Sequence, residues 1–218
     1  MTKITFKFPP HIKAIIWDFD GVIKDSLSAK TEAFVHIFRA NCNVDVIEKI
    51  KKHHTINGGV SRSVKIPLYL QWLNINPSKS NIEKYLGEFS KVVVKKVVDS
   101  PWVEGVEYLL KNKPEGMMFF LVTATPTTEI HEIIKELSLN NIFTEIHGYP
   151  KSKLDSTKDI MKNYSLQAKD VFFIGDSLID MQTSKALDIT FILRLHKDNQ
   201  HLKPLHPGKK IMDFVSYE

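Results

Sequence analysis

Five short runs in this 218-residue chain are apolar and rich in β-branched and aromatic residues: Ala14–Trp17, 118–122, 142–146, 171–174 and 189–193. The densest show no alternation of apolar and polar positions. Such strands need cover on both faces, as the strands of a parallel sheet do. Segments of helical spacing between the later runs can supply that cover. Val103, Val106, Leu109 and Leu110 form one apolar stripe; Ile130, Ile133, Ile134 and Leu137 form a second; Leu154, Ile160 and Met161 form a third. Strand and helix in alternation predict an α/β fold: a three-layer, Rossmann-like core around a parallel sheet of about five strands.

Residues 27–98 break this alternation. They contain no convincing buried strand, and their spacing predicts helices over 29–40, 44–54, 63–73 and 81–98. The stretch "KVVVKKVV" would also suit a strand, but the spacing of Val94, Val97 and Val98 favours a helix. The expected organisation is a core of residues 1–26 and 99–218 with an inserted all-helical cap, 27–98. The joints fall near 26–28 and 99–101.

Composition narrows the function classes. The net charge is +5, with lysines scattered rather than clustered beside aromatic residues. This reads as a solvated surface rather than a nucleic-acid-binding face. No apolar run approaches the roughly 18 residues of a membrane span, and the first residues lack a signal-peptide core. Cys42 is the one cysteine and forms no internal disulfide, which suits a cytoplasmic protein. The expected partner is a small molecule, and the expected state is a monomer or weak dimer.

Ligands of open α/β sheets bind at the carboxyl ends of the strands. After the first run comes Asp18-Phe19-Asp20-Gly21, and after the second Thr123-Ala124-Thr125. A short loop after the third carries Lys153, and after the fourth comes Gly175-Asp176-Ser177 with Asp180 one helical turn on. Singly, each is an ordinary turn or helix cap. Jointly, they place carboxylates, a hydroxyl and a lysine on one rim. That set suits phosphoryl chemistry with magnesium, because a hard cation relieves the repulsion of clustered carboxylates. An aspartate can also attack phosphorus directly.

Asp18-Phe19-Asp20-Gly21-Val22 resembles the first motif of the haloacid-dehalogenase-like superfamily. Thr123, Lys153 in "GYPKSK" and "FFIGDSLID" resemble its second, third and fourth motifs. The match is to a phosphatase branch with a helical cap, similar to phosphoglycolate phosphatases and β-phosphoglucomutases. The resemblance implies Asp18 as nucleophile and metal ligand. It implies Asp20 as general acid/base, its main-chain carbonyl facing the metal. Thr123 and Lys153 would hold the phosphoryl group, Asp176 would bind magnesium, and Asp180 would bind or orient that shell. An acid at position 20 favours phosphate esters over carbon–halogen bonds, because an alkoxide leaves with help from a proton.

Gly21, Ala124, Gly59 and Arg62 are the expected substrate-binding positions. "GVSR", residues 59–62, resembles a cap segment of β-phosphoglucomutases in which the arginine grips a second phosphate. Where those enzymes carry a histidine after the first motif, this chain has Lys30, which favours hydrolysis. His53 and His54 are adjacent on a helix, so at most one faces a site, and both read as surface or packing residues. The leading expectation is a magnesium-dependent phosphatase. Alternatives are a sugar-phosphate mutase and a non-catalytic binding protein on the same fold.

Overall fold

The computed structural model describes residues 3–4 and 6–216. A two-residue strand, β1 (Lys3–Ile4), pairs antiparallel with β8 (Val215–Ser216). The main sheet has six parallel strands. They are β2 (Ala14–Trp17), β3 (Met118–Pro126), β4 (Glu145–Tyr149), β5 (Val171–Gly175), β6 (Thr190–Arg194) and β7 (Lys210–Ile211). Their order is β4-β3-β2-β5-β6-β7. The sixth strand, two residues long with a lysine in it, carries no apolar run that sequence could flag. The third run also pairs later than its composition suggests. Ile142 closes a turn onto Leu139 instead, and Glu145–Tyr149 forms the strand.

β2 lies at the centre, every residue buried. Ile15 sits level with Phe119 and Phe172, and Trp17 with Leu121 and Ile174. Ile15 and Trp17 face one core, and Ala14 and Ile16 face the other. Cover on both faces is why the run lacks alternation. Helices α5 (Val106–Lys111) and α6 (Thr127–Glu136) supply the first face. Helices α7 (Lys153–Asn163) and α8 (Leu178–Ala186) lie on the second, where Ile160 packs with Phe120 and Phe173. Chain order reverses at β2, with β3 on one side and β5 on the other, which opens a crevice at their carboxyl ends.

Between β2 and β3 the chain forms an all-helical cap of α1 (Leu27–Phe38), α2 (Val44–Ile56), α3 (Arg62–Trp72) and α4 (Lys79–Asp99). "KVVVKKVV" is helical, and α4 buries Tyr85, Phe89, Val93 and Val97, a strict four-residue repeat. Val94 and Val98 are half-buried on its flank. Two joints link cap and core side by side. The Asp25 amide donates to the Pro101 carbonyl and the Val103 amide to that of Ile23. Arg194 of β6 grips Asp25 with both terminal nitrogens, at 2.6 and 3.2 Å. Among the described residues no helix is long and apolar enough to cross a membrane.

Phe34 of α1 ties the cap together. Its ring lies 4.5 Å from Phe89 of α4, 4.9 Å from His54 of α2 and 5.2 Å from Tyr69 of α3. Replacing Phe34 with Ala should cost about 3–5 kcal/mol, measured by urea denaturation. A cost below about 1 kcal/mol would show that these contacts do not hold the cap.

Candidate functional site

The carboxyl ends of β2, β3 and β5 and the start of α7 converge on one cavity beneath the cap. Asp18, Asp20, Thr123, Ala124, Lys153 and Asp176 line it from the core, and Gly59 and Arg62 from the cap. Its volume is about 40 Å³, room for a few waters. Gly21 and Asp180 complete the set just behind this wall.

Asp18 follows β2 directly, and its amide continues the sheet by donating to the Ile174 carbonyl at 2.9 Å. Lys153, the first residue of α7, reaches Asp18 Oδ1 at 2.8 Å and Asp180 Oδ1 at 2.6 Å. Oδ2 of Asp180 accepts from the Ser177 amide at 3.1 Å and hydroxyl at 2.6 Å, closing a capping box on α8. Both Asp180 oxygens are therefore engaged. Carboxylate oxygens of Asp18, Asp176 and Asp180 lie within 4.8 Å of one another, all buried.

Burial raises the Asp18 carboxyl well above its usual range; Lys153 opposes this, and the Asp180, Asp176 and Asp20 charges add to it. Burial also raises Asp176, opposed by its hydrogen bond with His196 and reinforced by Asp180. Lys153 is the reverse case. Burial would lower it, but the Asp18 and Asp180 carboxylates hold it above the usual lysine value. One ammonium thus faces three buried carboxylates. This donor set fits a hard divalent cation, which would supply the missing positive charge.

Asp20 sits apart from that cluster and carries its own partners. Its carboxylate accepts from Ser26 Oγ at 2.6 Å, from Thr125 Oγ1 at 3.2 Å and, in a short contact, from Lys30 Nζ. Lys30 also donates to Thr125 Oγ1 at 2.9 Å. Burial would raise the Asp20 carboxyl, but Lys30, Ser26 and Thr125 together hold it below the ordinary carboxylate range.

Two glycines make the geometry feasible. Gly21 has φ +76°, and a Cβ there would lie 2.2 Å from Asp176 Oδ2. Only glycine lets the chain turn this close to the carboxylate. A Cβ on Gly59 would lie 2.5 Å from Ser177 Oγ, so the cap loop seats directly on the loop that carries Asp176.

Arg62, the first residue of α3, forks onto the Glu129 carboxylate of α6, with Nη1 at 2.8 Å, and gives Nη2 to Ser90 as well, also at 2.8 Å. It thus ties the cap to the core. Sequence reading had no signal for Glu129 beyond an acid in a helix's first turn. Nor did it single out Ser26, Thr125, His196 or Asn199. His196 Nε2 lies 2.9 Å from Asp176 Oδ2, and Asn199 donates to the Asp176 carbonyl at 2.7 Å.

The adjacent histidines separate as a helix requires. His53 Nδ1 lies 3.0 Å from the Tyr69 hydroxyl, whereas His54 lines the cavity. Its Nδ1 lies 3.0 Å from Nζ of Lys65, a cavity-lining lysine only 2% exposed. Burial, with repulsion from Lys30, lowers the Lys65 pKa to about 7. Between that value and the unfolded chain's 10.5 the unfolded state holds a proton that the folded state lacks. Stability should therefore rise with pH across this window, by at most about 1.4 kcal/mol per pH unit. Chemical denaturation at several pH values between 7 and 9.5 should show this rise flattened in Lys65→Met. An unchanged slope would show that Lys65 is not the titrating group.

The family model described as haloacid dehalogenase-like hydrolase matches residues 15–194. No curated protein matches the chain in sequence. Among solved structures, it is similar to CbbY from Rhodobacter sphaeroides in complex with phosphate. That match has TM-score 0.76 and 15% identity, covering 93% of this chain and 95% of that one. A predicted phosphoglycolate phosphatase from Haemophilus somnus gives 0.74 and 17%, covering 94% and 95%. The β-phosphoglucomutase of Clostridium difficile gives 0.73 and 17%, covering 93% and 92%. At these identities the structures share the fold.

Proposed function

The chain belongs to the haloacid dehalogenase-like hydrolase family, and on that premise we propose that it is a magnesium-dependent phosphatase of a small phosphomonoester. The observation that carries this reading is the buried junction of Asp18, Lys153, Asp176 and Asp180, in a cavity shared with Asp20. Two of the similar structures agree with it: a predicted phosphoglycolate phosphatase, and CbbY bound to phosphate.

In this reading a carboxylate oxygen of Asp18 attacks phosphorus and the bond to the leaving oxygen breaks. Asp20 gives its proton to that oxygen. Water then attacks the phosphorus of the aspartyl-phosphate, Asp20 takes the water's proton, and inorganic phosphate departs with Asp18 restored. Lys30 keeps Asp20 ionised at rest, the form needed for the second half. An arriving phosphate dianion beside Asp20 would raise its pKa and let it carry the proton needed for the first half. Lys153 and Thr123 hold the transferring phosphoryl group.

A bound magnesium ion would supply charge neutralisation to that group. Asp18 and Asp176 would hold it. Asp180, with both oxygens engaged, would orient this shell, and Asp20 would offer only its main-chain carbonyl, since its carboxylate is occupied.

Residues 27–98 act as a cap on a core of 1–26 and 99–218. A cavity of about 40 Å³ admits substrate only when the cap swings away, and reclosure excludes water. The Arg62–Glu129 pair is neutral as a whole and leaves no uncompensated charge for a second phosphate. That favours hydrolysis over transfer between sugar phosphates.

With p-nitrophenyl phosphate and magnesium, Asp18→Asn should lose at least about 10³-fold in kcat while its circular dichroism stays native. Chelation of the metal should abolish wild-type turnover, and added magnesium should restore it. Retained activity in Asp18→Asn would remove the nucleophile assignment.

A further inference from the structure

The loop after β6 closes on Asp176. Arg194, the last residue of β6, is buried and anchored. Its Nε donates to the Met212 carbonyl at 3.0 Å, and its terminal nitrogens grip Asp25. Asn199, also buried, uses its whole side chain. Its Nδ2 donates to two main-chain carbonyls, Asp176 at 2.7 Å and Arg194 at 2.8 Å, and its Oδ1 accepts from the His196 amide at 2.9 Å. His196 lays its ring against the Asp176 carboxylate. Nδ1 accepts from the Asp198 amide at 3.2 Å, so the ring hydrogen sits on Nε2. Nε2 then donates to Asp176 Oδ2 at 2.9 Å. With both ring nitrogens engaged, His196 is not itself a metal ligand. Oδ2 is confined from another side as well, since it lies 2.2 Å from where a Cβ on Gly21 would fall. Among the described residues Asp176 Oδ1 accepts no hydrogen bond.

We infer that His196 and Asn199 are positioning residues for the reaction: together they hold Asp176 so that Oδ1 is the oxygen presented to the magnesium ion. The inference rests on the phosphatase reading above and adds the residues that prepare its metal ligand. A carboxylate left to itself rotates and offers either oxygen. A hydrogen bond to one oxygen stops that rotation and assigns the other to the ion. Magnesium demands near-ideal octahedral geometry, so a ligand fixed in advance binds it better than one that must be ordered on binding. Asn199 holds the other end of the residue. Its bond to the Asp176 carbonyl keeps the main chain from shifting beneath the side chain. Arg194 stiffens this clamp and ties the same loop to the cap joint at Asp25.

The test is calorimetric titration of magnesium into wild type, His196→Gln and His196→Asn. A glutamine amide reaches the place of Nε2, whereas an asparagine amide reaches only that of Nδ1 and loses Asp176. His196→Gln should bind magnesium nearly as wild type does, and His196→Asn about ten- to a hundredfold more weakly. In turnover of p-nitrophenyl phosphate, raising magnesium should recover the activity lost in His196→Asn, and raising the ester should not. Circular dichroism checks that His196→Asn folds; if it does not, His196→Leu is read in its place. Equal affinity in all three proteins, an equal loss in His196→Gln and His196→Asn, or no magnesium binding by wild type would overturn the inference. Failure of the phosphatase reading looks different. If wild type cleaves no ester that reading falls, yet magnesium binding weakened in His196→Asn and kept in His196→Gln still supports the clamp.

Discussion

Lys153 is an ammonium held inside the protein between Asp18, at 2.8 Å, and Asp180, at 2.6 Å. Everything around it follows from the need to keep that arrangement closed. Removing one member of such a buried group leaves a bare charge and costs about 3–5 kcal/mol. The lysine must come from the first turn of α7, the first aspartate from the end of β2 and the second from the first turn of α8. Three elements far apart in sequence are thereby fixed at one point. Asp180 cannot drift, because Ser177 holds its other oxygen through the capping box. Three carboxylates to one lysine leave a deficit of positive charge, which a bound cation would make up.

A second balance governs the cap. Arg194 holds Asp25 at the joint, and Arg62 of the cap pairs with Glu129 of the core on the wall of the cavity. Arg62 is the more revealing. A fork that sequence assigns to a substrate anion is satisfied by the protein's own carboxylate. Lys65, on the same wall, has no acid beside it among the described residues, and burial lowers its pKa to about 7.

The rim of the candidate site was legible because each of its residues stands next to a strand or helix that the sequence marks clearly. Asp18 follows "AIIW", Thr123 lies at the end of "FFLV", and Asp176 follows "FFIG". Lys153 begins a helix whose N-cap, Ser152, is itself recognisable. Glu129, His54 and Lys65 were not legible. Each is a common polar residue on an amphipathic helix, and nothing in the local pattern says that its side chain turns inward. Thr125 was passed over for Thr123. It joins Asp20 because β3 runs on to Pro126 with a register shift after Val122, which swings its hydroxyl toward Lys30.

By itself the sequence determined the class of fold, the inserted helices and the end of the sheet where the candidate site lies. These depend on local periodicity and on residues adjacent to strands, which a linear pattern records. Tertiary structure decided the pairings: Lys30 with Asp20, Arg62 with Glu129, and Lys65 with His54 but with no acid. It also decided the six-strand count and the true register of α4, where Val93 and Val97 rather than Val94 and Val98 are buried. Pairing depends on distances between residues far apart in the chain: Arg62 and Glu129 are 67 positions apart, and Asp25 and Arg194 169. Those distances exist only once the cap is seated on the sheet.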